Sequence, residues 1–117
     1  MLDQLFTVNP GTGASAPINV AGLIPNFMDG LLLQGANLWV VENPANTVIR
    51  VTLSHDLSSG TIASTITSPL FDDPTTVAKY GDELALPNGR YDHGLPPPFG
   101  PGAPPGTTFN VVVVPAY

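Results

Sequence analysis

Residues 29–53 read DGLLLQGANLWVVENPANTVIRVTL, and the way this stretch divides decides the fold. Residues 31–34 are apolar and brief, and Gly35-Ala36-Asn37 breaks them. Residues 38–42 carry Leu, Trp and two Val, side chains that suit a pleated, half-buried surface. Asn43-Pro44-Ala45-Asn46 is turn chemistry, because Pro presets φ and Asn tolerates the left-handed region. Residues 47–53 alternate, with Ile49, Val51 and Leu53 on one face and Val48, Arg50 and Thr52 on the other. Three short strands joined by two tight turns make an antiparallel meander, the unit from which a propeller blade is built.

Working outward, the flanks repeat this unit. Upstream, residues 5–8 read as a strand, Asn9-Pro10-Gly11-Thr12-Gly13 as a turn, and residues 16–20 as a strand that Pro17 places at an edge. Residues 24–28 lead into the central meander. Downstream, 54–60 is a polar loop, and 61–67 (TIASTIT) suits an outer, half-exposed strand. Phe71-Asp72-Asp73-Pro74 then restarts the pattern, 44 positions after Phe27. Gly81-Asp82-Glu83-Leu84 follows Gly35-Ala36-Asn37-Leu38 by 46, and Leu53 follows Val8 by 45. A period of this size, with a four-stranded meander in each unit, belongs to propeller arrays. Residues 75–78 and 83–86 are the first strands of the next unit, and Pro87-Asn88-Gly89 is a turn. Residues 90–108 contain GLPPPFGPGAPPGTT, which denies ladder hydrogen bonds and reads as an irregular surface loop with polyproline II character. Residues 109–114 form the last strand, ended by Pro115. The expectation is an all-β fold of two, four and three strands, nine in all: two to three blades of an incomplete ring. Residues 1–22 end one blade, 23–69 form a complete blade, and 70–117 form a blade carrying the insertion 90–108.

Composition narrows the function. The chain has 117 residues, enough for one domain. Only 10% are charged, against 43% hydrophobic, so the sequence packs rather than stays solvated. The net charge is −6, and Arg50, Lys79 and Arg90 are the three basic residues. Nucleic-acid binding needs several cations on one surface, so no nucleic-acid partner is expected, and no anionic membrane surface either. The absence of cysteine removes disulfides, thiolate zinc sites and Cys nucleophiles. No apolar run approaches a bilayer span, and MLDQLFTVNP lacks the basic-then-apolar order of a signal peptide.

The central stretch resembles the gluconolactonase and senescence-marker-protein family of six-bladed, NHL-like β-propellers. The resemblance is carried by Met28-Asp29-Gly30, Leu31-Leu32-Leu33, Ala36-Asn37-Leu38-Trp39-Val40 and Val48-Ile49-Arg50-Val51. Residues 56–91 are similar to a secreted fungal and bacterial branch of such propellers, which implies an extracellular location. The similarity spans about residues 5–114 and implies a position at the C-terminal end of a longer propeller. It also implies that Asp29 lies at the central channel, where family members use this Asp as a ligand for a divalent metal, calcium or zinc, and as proton acceptor or donor. Met28 departs from the family's Pro, and the family's other ligands, a Glu and two Asn, precede this stretch. A hard cation takes six or more oxygen ligands, so no metal or other cofactor is expected for the chain alone.

Each candidate residue also has a plain structural reading. Asp29 is a metal ligand or general acid, or an Asx-type turn residue before Gly30. Glu42, Asn43 and Asn46 could offer oxygens at one channel mouth, or serve ordinary hairpin chemistry. Asp73 occupies the repeat position of Asp29, and it lies with Asp72 in a loop closed by Pro74. His55-Asp56 and Asp92-His93 are adjacent in sequence, which is not the geometry of a triad, and no serine sits in a nucleophile elbow. Trp39 reads as core, and Pro96-Pro97-Pro98 as a stiff loop. The functional expectation is a non-catalytic binding or assembly module. The alternative is a metal-dependent lactone hydrolase that uses Asp29 once the missing blades are supplied. Partners would be those blades or further copies of the chain; three copies of nine strands overfill a six-bladed ring by one strand each.

Overall fold

The computed structural model describes residues 4–24 and 26–117; Met1 to Asp3, part of the N-terminal reading, and Pro25 in the 24–28 lead-in lie outside the described residues. Among the described residues the fold is all-β, with ten strands in three sheets. In chain order they are β1 (Phe6–Val8), β2 (Ser15–Pro17), β3 (Asn19–Ala21), β4 (Met28–Gln34), β5 (Asn37–Glu42), β6 (Thr47–Leu53), β7 (Ser59–Thr67), β8 (Ala78–Tyr80), β9 (Glu83–Pro87) and β10 (Val111–Pro115). A single 3₁₀ turn, Tyr91–His93, is the helical element among the described residues, and none of their helices is long and apolar enough to cross a membrane.

The first sheet is the β1-β2 hairpin, the central sheet runs β3-β7-β6-β5-β4, and the third runs β10-β9-β8. The meander read from residues 29–53 is present, with β4 starting earlier, at Met28. Four expectations about the strands are corrected. The single strand over 16–20 divides at Ile18, whose N–H donates to Leu5 O in the first sheet (2.9 Å) while the N–H of Asn19 donates to Ser58 O (3.0 Å). The strand placed at 75–78 is Ala78–Tyr80, and the one placed at 109–114 is Val111–Pro115. The central sheet is also not a purely antiparallel set of four, because β3 adds a fifth strand parallel to β7.

The three sheets repeat one pairing scheme. Leu32↔Trp39, Leu33↔Leu38 and Gln34↔Asn37 in β4-β5 recur as Ala78↔Ala85, Lys79↔Leu84 and Tyr80↔Glu83 in β8-β9, every partner displaced by 46 (78 − 32, 85 − 39). The isolated bridge Pro74↔Asn88 repeats Met28↔Glu42 with the same displacement, so the position equivalent to Asp29 is Thr75, and Asp73, expected there, corresponds instead to Phe27, with which it shares a positive φ. Phe6↔Pro17, Thr7↔Ala16 and Val8↔Ser15 recur as Val51↔Ile62, Thr52↔Thr61 and Leu53↔Gly60, displaced by 45 (51 − 6, 62 − 17). β9-β10 repeats β5-β6 too, with 17 extra residues between the strands: Val41↔Val48 becomes Pro87↔Val111. Gly35 and Gly81 hold the equivalent turns at φ 60° and 56°, where a Cβ is disfavoured.

Both faces of the central sheet are covered, which is why β5 and β6 are buried almost throughout. Trp39, Val41 and Val48 pack with Val77, Leu84, Leu86, Val112 and Val114 of the third unit. Leu38, Val40, Ile49, Val51 and Leu53 pack with Leu5 and Ile18 on the other side. Each fully buried Val or Leu contributes about 1.5–3 kcal/mol. Trp39 is completely buried, and its Nε1–H donates to Ala116 O at 3.0 Å, so its one polar atom is satisfied.

Candidate functional site

The residues singled out by sequence meet where β4 begins and the β5-β6 turn lies. Gly30 must be small there: a Cβ would come within 2.5 Å of Thr76 Cα, and Gly30 N–H donates to Thr75 O at 2.9 Å. That close approach fixes Asp29 against residues 73–75. Asn43, buried at the turn, donates both amide hydrogens, to Asp29 Oδ2 (3.0 Å) and to Pro74 O (2.6 Å). Asn46, held at φ 52° by the tight turn, accepts the backbone N–H of Asp73 at 2.9 Å. Asp73, itself at φ 54°, accepts the backbone N–H of Tyr91 at 3.1 Å. Glu42 is buried and accepts the Thr47 hydroxyl at 3.3 Å.

Asp29, Asn43, Asn46 and Asp73 therefore do come together, and they form a joint between consecutive units. Both asparagines reach from the turn of one unit to the backbone that starts the next. The third unit carries a similar amide device: Asn88, also buried, donates to Leu70 O and Asn110 Oδ1 and accepts the Asp72 N–H.

Sequence reasoning missed Tyr91. It opens the insertion, packs on Gly89, where a Cβ would meet Tyr91 Cε1 at 3.0 Å, and lies half-buried near both acids. Burial raises its phenol above the usual 10.0, and the Asp29 and Asp73 carboxylates raise it further. The signal available was the run Arg90-Tyr91-Asp92-His93, four side chains with chemistry just after the Asn88-Gly89 turn.

One trio of metal-type ligand atoms gathers among the described residues, from Asp72, Asp92 and His93, all within 4.8 Å. It excludes Asp29. Arg90 stands in the middle, its Nε 3.2 Å from Asp72 Oδ2 and its guanidinium also bonded to His93. A fixed cation in that place opposes a metal ion there. At the other histidine loop, Asp56 is occupied by the Ser54 hydroxyl and by the N–H and hydroxyl of Ser58, which hold its carboxyl down to about 2. Asp56 is thus committed to its own loop and is not spare to orient His55.

The three cations are also spent within the chain. Arg50 bonds Asn37 and Ser64 and lies 5.2 Å from the Tyr117 ring centre. Lys79 lies 5.4 Å from the same ring and bonds Gly81 O. Arg90 completes its set on Thr108 O at 2.7 Å. Comparison with protein-family models, curated proteins and solved structures finds no match for the chain.

Proposed function

We propose that the chain is a set of consecutive β-propeller blades that works as a non-catalytic binding and assembly module. The observation that carries this reading is the recurrence of strand registers at 46 and 45 positions, with each sheet stacked on the next by the same face. A unit that buries its faces only against its neighbours is what a radial or linear array is made from. The polar rim supports a structural role for the same reason: its amides clamp one unit to the next.

The alternative, a metal-dependent lactone hydrolase using Asp29, is not favoured by this rim. The neighbour of Asp29 is an amide that presents N–H groups, where a cation needs oxygens. The site does not fit the divalent metal that the family resemblance implies, and no step is derived through one. Titration calorimetry with Ca²⁺ and Zn²⁺, together with hydrolysis assays on small sugar lactones, tests this. The expected result is no micromolar metal binding and no turnover; binding or turnover that disappears in Asp29→Asn would establish the enzyme reading instead.

A further inference from the structure

We infer that this chain assembles head to tail with further copies of itself, β10 of one copy pairing along the β2–β3 segment of the next. The inference rests on the blade reading above and adds the partner and the register.

The two ends of the stack are bare in complementary ways. At one end, the first sheet holds, among the described residues, β1 and β2, the equivalents of β6 and β7. The face of the central sheet that would lie under equivalents of β4 and β5 is left as an apolar groove of about 330 Å³, lined chiefly by Phe6, Val8, Leu31, Leu33, Leu38 and Leu57. Leu31 is 52% exposed, whereas its equivalent Val77 is 7% exposed, because Val77 lies under the central sheet. No charged side chain interrupts this groove.

At the other end, the third sheet contains the equivalents of β4, β5 and β6, and no strand among the described residues follows on the far side of β10. Its outer face carries Ala85, Val111 and Val113, and Val113 is 56% exposed. By the same displacements these positions correspond to Trp39, Val48 and Arg50. Trp39 and Val48 are the side chains with which the central sheet covers the third. The same face of the sheet is thus present, unused, at the opposite end of the molecule, with Ala85 where the central sheet has Trp39. Seating it in the groove continues an interface that the chain already makes within itself.

The register follows from the β6-β7 ladder. Ile49↔Thr65, Arg50↔Ser64 and Val51↔Ile62 transpose to Val112 with Val20, Val113 with Asn19 and Val114 with Pro17. β10 then takes the slot that β1 fills within one chain and runs on along the edge of β3 opposite β7; Phe6 and Val8 leave the groove with β1, and Leu31, Leu33, Leu38 and Leu57 remain to receive the partner. β10 has five residues against three in β1, and its first three lie along Asn19–Ala21, which keep their pairing with β7 on the other edge. Pro17 tolerates it, because it already faces Phe6 in that slot. The contact is heterologous, so repeated copies close into a ring or extend as a filament. An uncharged, β-prone edge such as 111–114 is a template for such pairing.

The chain has no cysteine, so Val113→Cys and Asn19→Cys can be prepared as separate proteins and mixed under mild oxidation. The expected product is the mixed 113–19 disulfide in clear excess over either homodimer. Val113→Cys mixed with Ala14→Cys, off register and exposed, should show no such excess. Sedimentation of the unmodified chain at micromolar concentration should show species larger than a monomer. Val113→Lys should shift these to monomer with an unchanged circular dichroism spectrum. A sharp, cooperatively melting monomer, or cross-linking without preference for the 113–19 pair, would overturn the inference. Neither outcome depends on metal binding or turnover, so failure of the assembly and failure of the non-catalytic reading are told apart.

Discussion

Gly30 has no room for a side chain, and the obstacle is backbone, which cannot swing aside. Thr76 Cα and Thr75 O would lie 2.5 and 2.8 Å from an added Cβ. Gly30→Ala must push β4 away from residues 75–76 and strain the Asn43 clamp beside it. The expected cost is about 1–3 kcal/mol, read as a lower urea midpoint against the unsubstituted chain. Tyr91 yields a second expectation. Its folded-state value is raised, so the phenolate is less favourable in the fold than in the unfolded chain. Below the ordinary value near 10.0 both states are neutral and the group contributes nothing; as pH rises through it the unfolded chain ionises first, and stability is lost. Asp29→Asn and Asp73→Asn should each lower the Tyr91 midpoint in a tyrosinate absorbance titration, with Tyr91→Phe identifying its component. A midpoint unmoved by both changes would show that the two carboxylates do not face the ring. None of this was legible beforehand, because a tyrosine beside a Pro-rich loop carries no periodicity that could place it.

Among the elements, the central meander was readable because its turns are chemically explicit: Gly35 and Asn46 both occupy the left-handed region their residue types favour. β8 was not, because Lys79 and Tyr80 look like loop on local grounds. The repeat contained the answer. Gln34 precedes Gly35 as the last residue of β4, and Tyr80 stands 46 positions later, before Gly81. The division at Ile18 was hidden because the side chains of 16–20 cannot say which of two sheets each N–H will bond. Of the insertion expected to be irregular, residues 94–108 hold no strand or helix, while Tyr91–His93 form a 3₁₀ turn. The described contacts hold its base, through Arg90 to Asp72 and Thr108, and leave Phe99 80% exposed. Exposed loop tips are the preferred sites of nicking. Limited chymotrypsin should therefore cut first after Phe99, and the two pieces should stay together, because β9 and β10 pair across the cut. Earlier cutting within β1 to β7 would contradict this.

For the molecule as a whole, the alternation in 47–53 suggested one buried face, and the structure buries both, since Val48 is as covered as Val51. That is the consequence of stacking a sheet between two others, which a single strand's pattern does not reveal. The crossing of the chain at Ile18 now acquires a mechanical meaning. In the antiparallel β1-β2 hairpin, a pull on the N-terminal side and the resistance after Pro17 act at the same end, so its bonds break one at a time. In the parallel pair of β3 and β7, the pulled end of β3 and the onward end of β7 lie at opposite ends, so the bonds share the load. Stretched from its two termini, the N-terminal part should peel open at low force and then arrest at Asn19–Ala21. A single-molecule trace should show a small first step followed by a larger rupture, and Asn19→Pro, which removes the N–H that bonds Ser58 O, should abolish the arrest while leaving the first step. A crossing strand of three residues would thus set how much tension the stack withstands.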